Sequence, residues 1–186
     1  MVFAFLEGQL AQLSPEQAVV DVGGVGYRVF ISRLTAAALP AVGSRVRLIT
    51  RLVVRENDLS LWGFLSPEEE QAFLLLTGVN GVGPKLAMTV LSQITPLALF
   101  AAVGRQESAR LEMVPGIGRK LAERIALDLR DKVPEVAYTL GPLDEAVSAL
   151  TALGLREGEA RAAVEGLSGD TEEILRQALR RLSEAK

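Results

Sequence analysis

The stretch VPGIGRKLAER, Val114 to Arg124, places two glycines around one apolar residue and follows them with basic side chains. Glycine permits positive φ and lets the main chain approach another surface closely. Leu121, Ala122 and Ile125 recur at helical spacing, so the stretch predicts a tight turn that leads into a helix. The unpaired N–H groups and the positive dipole at such a helix start suit an anion such as a phosphate, although a plain helix-to-helix turn has the same pattern.

A second copy of this pattern lies upstream. TGVNGVGPKLAMTVL, Thr77 to Leu91, aligns without a gap on EMVPGIGRKLAERIA, Glu112 to Ala126. The copies share both glycines and the lysine that follows them: Gly81, Gly83 and Lys85 match Gly116, Gly118 and Lys120. Because such repeats usually mark a repeated supersecondary unit, the pair predicts two hairpins that bind nucleic-acid phosphates without reading the bases.

The composition narrows the possible functions. The 186 residues are 49% hydrophobic, which predicts folded cores. No apolar run reaches the roughly 18 residues of a membrane span, and the N-terminus lacks a basic secretory start, so we expect a cytoplasmic protein with no membrane contact. The chain has no Cys and no His. We therefore expect no catalytic residue, metal or cofactor, since thiol nucleophiles, zinc knuckles, iron–sulfur clusters and the usual general base are excluded.

The formal net charge of −3 is unusual for a nucleic-acid binder, which is often basic. The charge is unevenly distributed, with +1 in residues 1–62, 0 in residues 63–132 and −4 in residues 133–186. The repeat region is therefore free to present a locally basic face.

Residues 1–64 are predicted to form strands. Five apolar or alternating segments, separated by Gly, Pro and Ser, are VFAFLEGQLAQL, EQAVVDVGG, GYRVFIS, SRVRLITRLVVRE and LSLWGF. A helical stretch from Leu34 to Gly43 would cap the barrel between the third and fourth strands, which favours a five-stranded OB-like barrel. Most of the nine aromatic residues occupy core-like positions, so base stacking is not the expected mode of binding.

After the predicted strands, apolar residues recur at helical spacing. Residues 65–132 predict five helices containing the two hairpins, with Ser66 and Thr95 as N-caps. Residues 133–142 predict a linker, and residues 143–186 a small domain of three amphipathic helices, the last capped by Asp170. The chain is thus an α+β multidomain protein with a barrel, a tandem helix-hairpin-helix domain and a three-helix, UBA-like domain.

A charged tip is predicted between the fourth and fifth strands. Glu56, Asn57 and Asp58 stand where this hairpin must reverse. An ordinary solvated turn explains them, but a carboxylate tip aimed at a nucleic acid would also repel phosphates and fix where strands part.

Barrel, acidic tip, paired hairpins, linker and three-helix tail, in this order, resemble the RuvA family, which binds four-way Holliday junctions. The segments that carry the resemblance are DVGGVGYRV (21–29), VVREN and LWGF around the tip, NGVGPKLA (80–87), VPGIGRKLAER (114–124) and AVSALTALGL (146–155).

The resemblance implies a flat homotetramer, or an octamer, that is held by barrel contacts and binds junction DNA. The residues expected to bind phosphates are Gly81, Val82, Gly83, Lys85, Gly116, Ile117, Gly118, Arg119 and Lys120. The tips would meet at the centre as an acidic pin. The family has adjacent acidic residues where this chain has Glu56 and Asn57, with Asp58 one position later.

The resemblance also implies partners for branch migration in homologous recombination and DNA repair. Its tail would dock on the hexameric ATPase RuvB through Leu150, Leu153, Leu155 and Leu179, and the RuvC resolvase is a further partner. The chain itself has no Gly-rich loop followed by Lys and Ser or Thr, so we expect a non-catalytic subunit of an ATP-dependent helicase complex, without ATPase activity of its own.

Two alternatives remain open. DNA glycosylases use similar hairpins with a nucleophilic Lys and an Asp about 18 residues later, but that position after Lys120 is Tyr138. The second alternative is a protein-interaction module in which the glycines only allow helix packing.

Overall fold

A computed structural model describes residues 3–56, 58–134 and 141–184. The chain divides into two compact units, with the boundary between Gln93 and Ile94. The first copy of the repeat therefore belongs to the unit that contains the barrel, and the second copy belongs to the unit that contains the tail.

The first unit opens with a closed five-stranded barrel, in the order β1-β2-β3-β5-β4. Its strands are β1 (Phe5–Ser14), β2 (Gln17–Val22), β3 (Val25–Phe30), β4 (Arg45–Arg55) and β5 (Asp58–Phe64). All neighbours pair antiparallel except β3 and β5, which pair parallel over Val29↔Leu61 and Phe30↔Trp62. The predicted barrel is confirmed.

Buried and exposed side chains alternate along the strands, and the buried ones form the barrel core. In β4, Val46 and Leu48 are buried while Arg45 and Arg47 are exposed, because successive side chains point to opposite faces. The start of β1, up to Gln9, pairs with β4, and the part from Gln9 onward pairs with β2, with a register shift in the second pairing between Leu10 and Gln12. Such a bulge bends a strand and helps the sheet to close.

One short helix, α1 (Arg33–Ala38), connects β3 to β4. The Ser32 side chain caps it by accepting a hydrogen bond from the Thr35 N–H at 3.0 Å. The helix is shorter than the predicted Leu34-to-Gly43 stretch because Pro40 restricts the residue before it. Leu39 is accordingly extended, with φ −69° and ψ 147°.

Two helices complete the first unit, α2 (Pro67–Thr77) and α3 (Pro84–Leu91). The predicted cap of α2 is confirmed, since Ser66 Oγ accepts a hydrogen bond from the Glu69 N–H at 3.2 Å. Phe73 of α2 packs against Trp62 and Phe64 of β5, with ring centroids 5.7 and 5.1 Å apart. These aromatic contacts attach the first helix of the repeat to the barrel.

The second unit contains six helices among its described residues: α4 (Pro96–Gly104), α5 (Ser108–Glu112), α6 (Arg119–Leu129), α7 (Pro142–Ala152), α8 (Glu157–Val164) and α9 (Thr171–Glu184). The predicted caps are confirmed, since Thr95 accepts from the Ala98 N–H at 3.4 Å and Asp170 from the Glu173 N–H at 2.8 Å. Residues 135–140 of the predicted linker lie outside the described residues. Its last residue, Pro142, already begins α7.

Polar contacts join α4 to α7. A hydrogen bond connects Thr95 Oγ1 with Ser148 Oγ, and Glu145 binds both Arg105 and, at 2.6 Å, the Thr171 hydroxyl. Burial raises the pKa of Glu145, but the hydrogen bonds from Thr171 and Arg105, with the charges of Arg105 and Arg110, outweigh it and hold the pKa below its usual value.

Within the described ranges, no single helix is both long and apolar enough to cross a bilayer; α3 and α4 reach that length and composition only when taken together across the break between them.

Candidate nucleic-acid interface

The first hairpin is a tight turn that leads into α3. The Val82 N–H donates to the Val79 carbonyl at 3.0 Å and closes the turn. Gly81 has φ +96°, a conformation that side-chain-bearing residues rarely adopt. Gly83 is the N-cap of α3, with φ −87° and ψ 168°, and Pro84 is the first helical residue.

The second hairpin repeats this geometry at the start of α6. The Ile117 N–H donates to the Val114 carbonyl at 3.0 Å, and Gly116 has φ +89°. Gly118 caps the helix with φ −89° and ψ 167°, within a few degrees of Gly83. The sequence repeat is therefore a repeat of backbone conformation.

Val82 and Ile117 hold the turns rather than face a ligand. Their side chains are buried, and both amides donate to carbonyls inside the turn. The prediction that these two residues contact phosphates is corrected, since neither a free amide nor an exposed side chain is available. The backbone amides of Gly83 and Gly118 differ in this respect from those of Val82 and Ile117. In the described part of the chain, neither glycine amide donates a hydrogen bond to another residue.

Gly83 and Gly118 are not required by the fold. Their φ values suit any residue, and a Cβ built on either would meet no atom within 4 Å. The absence of a side chain instead leaves an open approach to the backbone at each helix start. An incoming phosphate would reach the exposed amides and the positive end of the dipole there.

Basic side chains lie beside both helix starts. Lys85 and Lys120 occupy matching positions and are exposed. Arg119 is exposed as well, and its Nε lies 2.9 Å from Glu123 Oε1. The hydrogen bond with Glu123, followed by the charges of Glu123 and Glu112, raises the pKa of Arg119. The i,i+4 spacing of Arg119 and Glu123 is a sequence signal for this ion pair that the motif alone does not convey.

The predicted tip lies on the hairpin of β4 and β5. Arg55 of β4 is the register partner of Asp58 of β5, and Glu56 follows directly after β4. Glu56 is exposed, while Asn57 and the side chain of Asp58 lie outside what the structure describes. The acidic pin therefore stays a prediction. Just before the tip, the cross-strand pair Val54 and Leu59 is 66% and 71% exposed, so this end of the hairpin leaves the barrel core.

The four tail leucines fall into two groups. Leu150 is fully buried in the core of α7, α8 and α9, and Leu155 packs against that core. Leu153 and Leu179 are 64% and 42% exposed. The expectation that Leu150 faces a partner is corrected, because this side chain is enclosed by its own domain.

No group of three or more His, Cys, Asp or Glu side chains gathers as metal ligands within residues 3–56, 58–134 and 141–184. Tyr138, the position that bears on the glycosylase alternative, lies outside these ranges.

An OB-like barrel joined to two glycine hairpins of one geometry defines a helix-hairpin-helix protein. The family model for a SAM-like helix-hairpin-helix tandem matches residues 73–131, between matches to the RuvA N terminal domain at 3–63 and the RuvA C-terminal domain at 141–183. The chain belongs to the RuvA family.

Relatives named "Holliday junction branch migration complex subunit RuvA" match along most of their length. The protein of Syntrophotalea carbinolica is 42% identical, with 97% of this chain and 99% of the relative covered. The protein of Rubrobacter xylanophilus is 43% identical over 95% of this chain and 96% of its own. The protein of Desulforamulus reducens is 42% identical, with 88% of this chain and 86% of the relative covered.

Proposed function

We propose that this chain binds four-way Holliday junctions as the DNA-binding, non-catalytic subunit of a branch migration complex that acts in recombination and repair. The observation that carries the proposal is the pair of helix starts at Gly83 and Gly118. Both have the same open backbone geometry, and each is followed by an exposed lysine. Relatives that cover nearly the whole chain bear the name of such a subunit.

Each hairpin would bind a phosphate through two kinds of contact. The N–H groups at the start of α3 or α6 would donate to phosphate oxygens, while Lys85 or Lys120 would supply charge. These contacts recognise the backbone and carry no sequence information, so the preference would be for branched shape rather than for base sequence. The tip at Glu56, meeting its copies in a tetramer or octamer, would repel phosphates at the centre and keep the strands apart.

The tail would recruit the RuvB ATPase, with the RuvC resolvase as a further partner. Support comes from Leu153 and Leu179, which are exposed, whereas Leu150 is enclosed in the core of the three helices. The ranges of the family matches support the division into residues 1–64, 65–132, a linker at 133–142, and 143–186.

A gel-shift comparison tests the proposal. The full chain should bind a four-way junction more tightly than linear duplex of equal length, with an affinity that falls steeply as salt rises. Light scattering on the same samples should give the mass of a tetramer or octamer. Equal affinity for both DNAs would contradict the proposal, binding indifferent to salt would favour the protein-interaction alternative, and base release from damaged duplexes would favour the glycosylase alternative.

A further inference from the structure

The second hairpin holds a basic side chain that already has an acidic partner. Arg119, the first residue of α6, keeps its side chain 80% exposed, and Glu123 one turn later is 52% exposed at 2.9 Å. Both ends of this ion pair are open to solvent beside the Gly118 amide. An anion that approaches the helix start would therefore meet a guanidinium that is shared with a carboxylate.

The first hairpin has no such pair. Pro84 stands where Arg119 stands in the second copy, and the position of Glu123 is taken by Met88, which is buried. Lys85 is left beside that helix start without an ion-pair partner among the described residues. The two hairpins therefore share one backbone geometry but differ in electrostatics.

Exchange of the Arg119 partner would cost little. Exposed i,i+4 ion pairs contribute little to stability, so a phosphate can replace Glu123 easily and Glu123 can take Arg119 back as easily. While a phosphate is bound, the nearby carboxylate also repels it.

We infer that Glu123 is a positioning residue that holds Arg119 at the mouth of the second hairpin, weakens the contact of Arg119 with DNA and makes that contact more readily exchanged. The inference rests on the proposed function. A subunit whose DNA must move along it benefits from a contact that releases each phosphate to an internal acceptor. The first hairpin has Lys85, the match of Lys120, but Met88 in place of Glu123, so it has no internal acceptor for such an exchange.

The test is a double-mutant cycle on the full chain with four-way junction DNA. Glu123→Gln should bind the junction roughly threefold more tightly at low salt and release it more slowly, because the repelling carboxylate is gone. The slope of log K against log salt should steepen by up to about 0.9, the value of one duplex phosphate. In an Arg119→Gln background, Glu123→Gln should change affinity much less.

A matched control separates this role from helix stability. Glu172 and Arg176 form an exposed i,i+4 pair in α9 at 2.8 Å, in the opposite order along the helix. Glu172→Gln should weaken its helix at least as much as Glu123→Gln weakens α6, because Glu172 also lies in the first turn, and should leave junction affinity unchanged.

The inference is overturned if Glu123→Gln binds no tighter than the native chain, or tightens equally without Arg119. Failure of the native chain to prefer the junction would instead defeat the proposed function, so the two failures are distinguishable.

Discussion

Thr35 Oγ1 donates a hydrogen bond of 2.6 Å to Glu69 Oε1 and so joins the helix between β3 and β4 to the first helix of the repeat. Ser32 Oγ donates to the same oxygen at 2.8 Å, and the Leu65 N–H donates to Oε2 at 3.0 Å. Glu69 is only 7% exposed. The buried carboxyl group of Glu69 therefore accepts three hydrogen bonds where α2 packs against the barrel.

Replacing Glu69 by Ala should lower the free energy of unfolding by about 3 kcal/mol, because two buried hydroxyls lose their acceptor. Urea denaturation would measure the loss. Glu68→Ala is the matched control, since this neighbour lies in the same helical turn and is exposed. It should cost less than about 1 kcal/mol, the size of a helix-dipole effect. Equal losses would refute the role given to Glu69.

Replacing Gly83 and Gly118 together by Leu should abolish junction binding and leave the fold intact. A Cβ at either position would have no atom within 4 Å, so each change should cost about 1 kcal/mol or less of cap stability, while the new side chains would block the backbone. Gel shifts and thermal melting measure the two effects. Gly141→Leu is the control, because Gly141 also caps a helix with open space around it and, like Gly83, precedes a proline. Native affinity in the double variant would mean that the hairpins are structural.

Lys85→Gln and Lys120→Gln should each weaken junction binding. For a given variant, the loss of affinity should be the same for junctions of unrelated base sequence. Each change removes one phosphate contact, so the slope of log K against log salt should fall by about 0.9. Titrations at several salt concentrations, with junctions of two unrelated sequences, would measure this. A slope that stays unchanged in either variant would show that its lysine does not contact phosphate.

Lowering the pH should weaken the contact between α4 and α7. Because the pKa of Glu145 lies below its usual value of about 4.3, the ionised carboxylate contributes stability that is complete above this value and is lost as pH falls through the lowered pKa. Thermal unfolding between about pH 3 and pH 6 should show this loss in the native chain and a smaller pH dependence in Glu145→Gln. Identical profiles would rule out Glu145 as the titrating group.

Substitutions of the tail leucines should affect either the stability of the fold or the binding of the partner, depending on whether the leucine is buried or exposed. Leu150→Ala should lower stability by about 2–5 kcal/mol, as for other buried leucines. Leu153→Ala and Leu179→Ala should leave stability within about 0.5 kcal/mol of the native chain and reduce association with RuvB. Calorimetric melting and a pull-down with purified RuvB measure the two properties. Undiminished association in a variant carrying both exposed-residue changes would exclude this face as the docking site.

Local patterns predicted most of the elements. Alternation indicated five strands, and side-chain caps at Ser66, Thr95 and Asp170 marked helix starts that the structure confirms. The predicted helix from Leu34 to Gly43 was too long, because Pro40 restricts the residue before it and ends α1 early despite the helical composition around it.

Predictions about burial and grouping were weaker. Leu150 and Leu153 lie three residues apart, yet one is fully buried and the other is 64% exposed. Val82 and Ile117 sit in exposed-looking glycine motifs and prove to be anchors of the turns. The pattern identifies an apolar stripe, but it does not say which members meet the neighbouring helices.

By itself, the sequence determined the two glycine hairpins and their equivalence, because turn chemistry and helix starts depend on residues within a few positions of each other. Only the tertiary structure decided that the first copy belongs with the barrel and the second with the tail. Those groupings depend on Thr35 with Glu69 and on Arg105 with Glu145, pairs that are 34 and 40 residues apart. Such contacts form only when the chain closes long loops, and no local pattern records them.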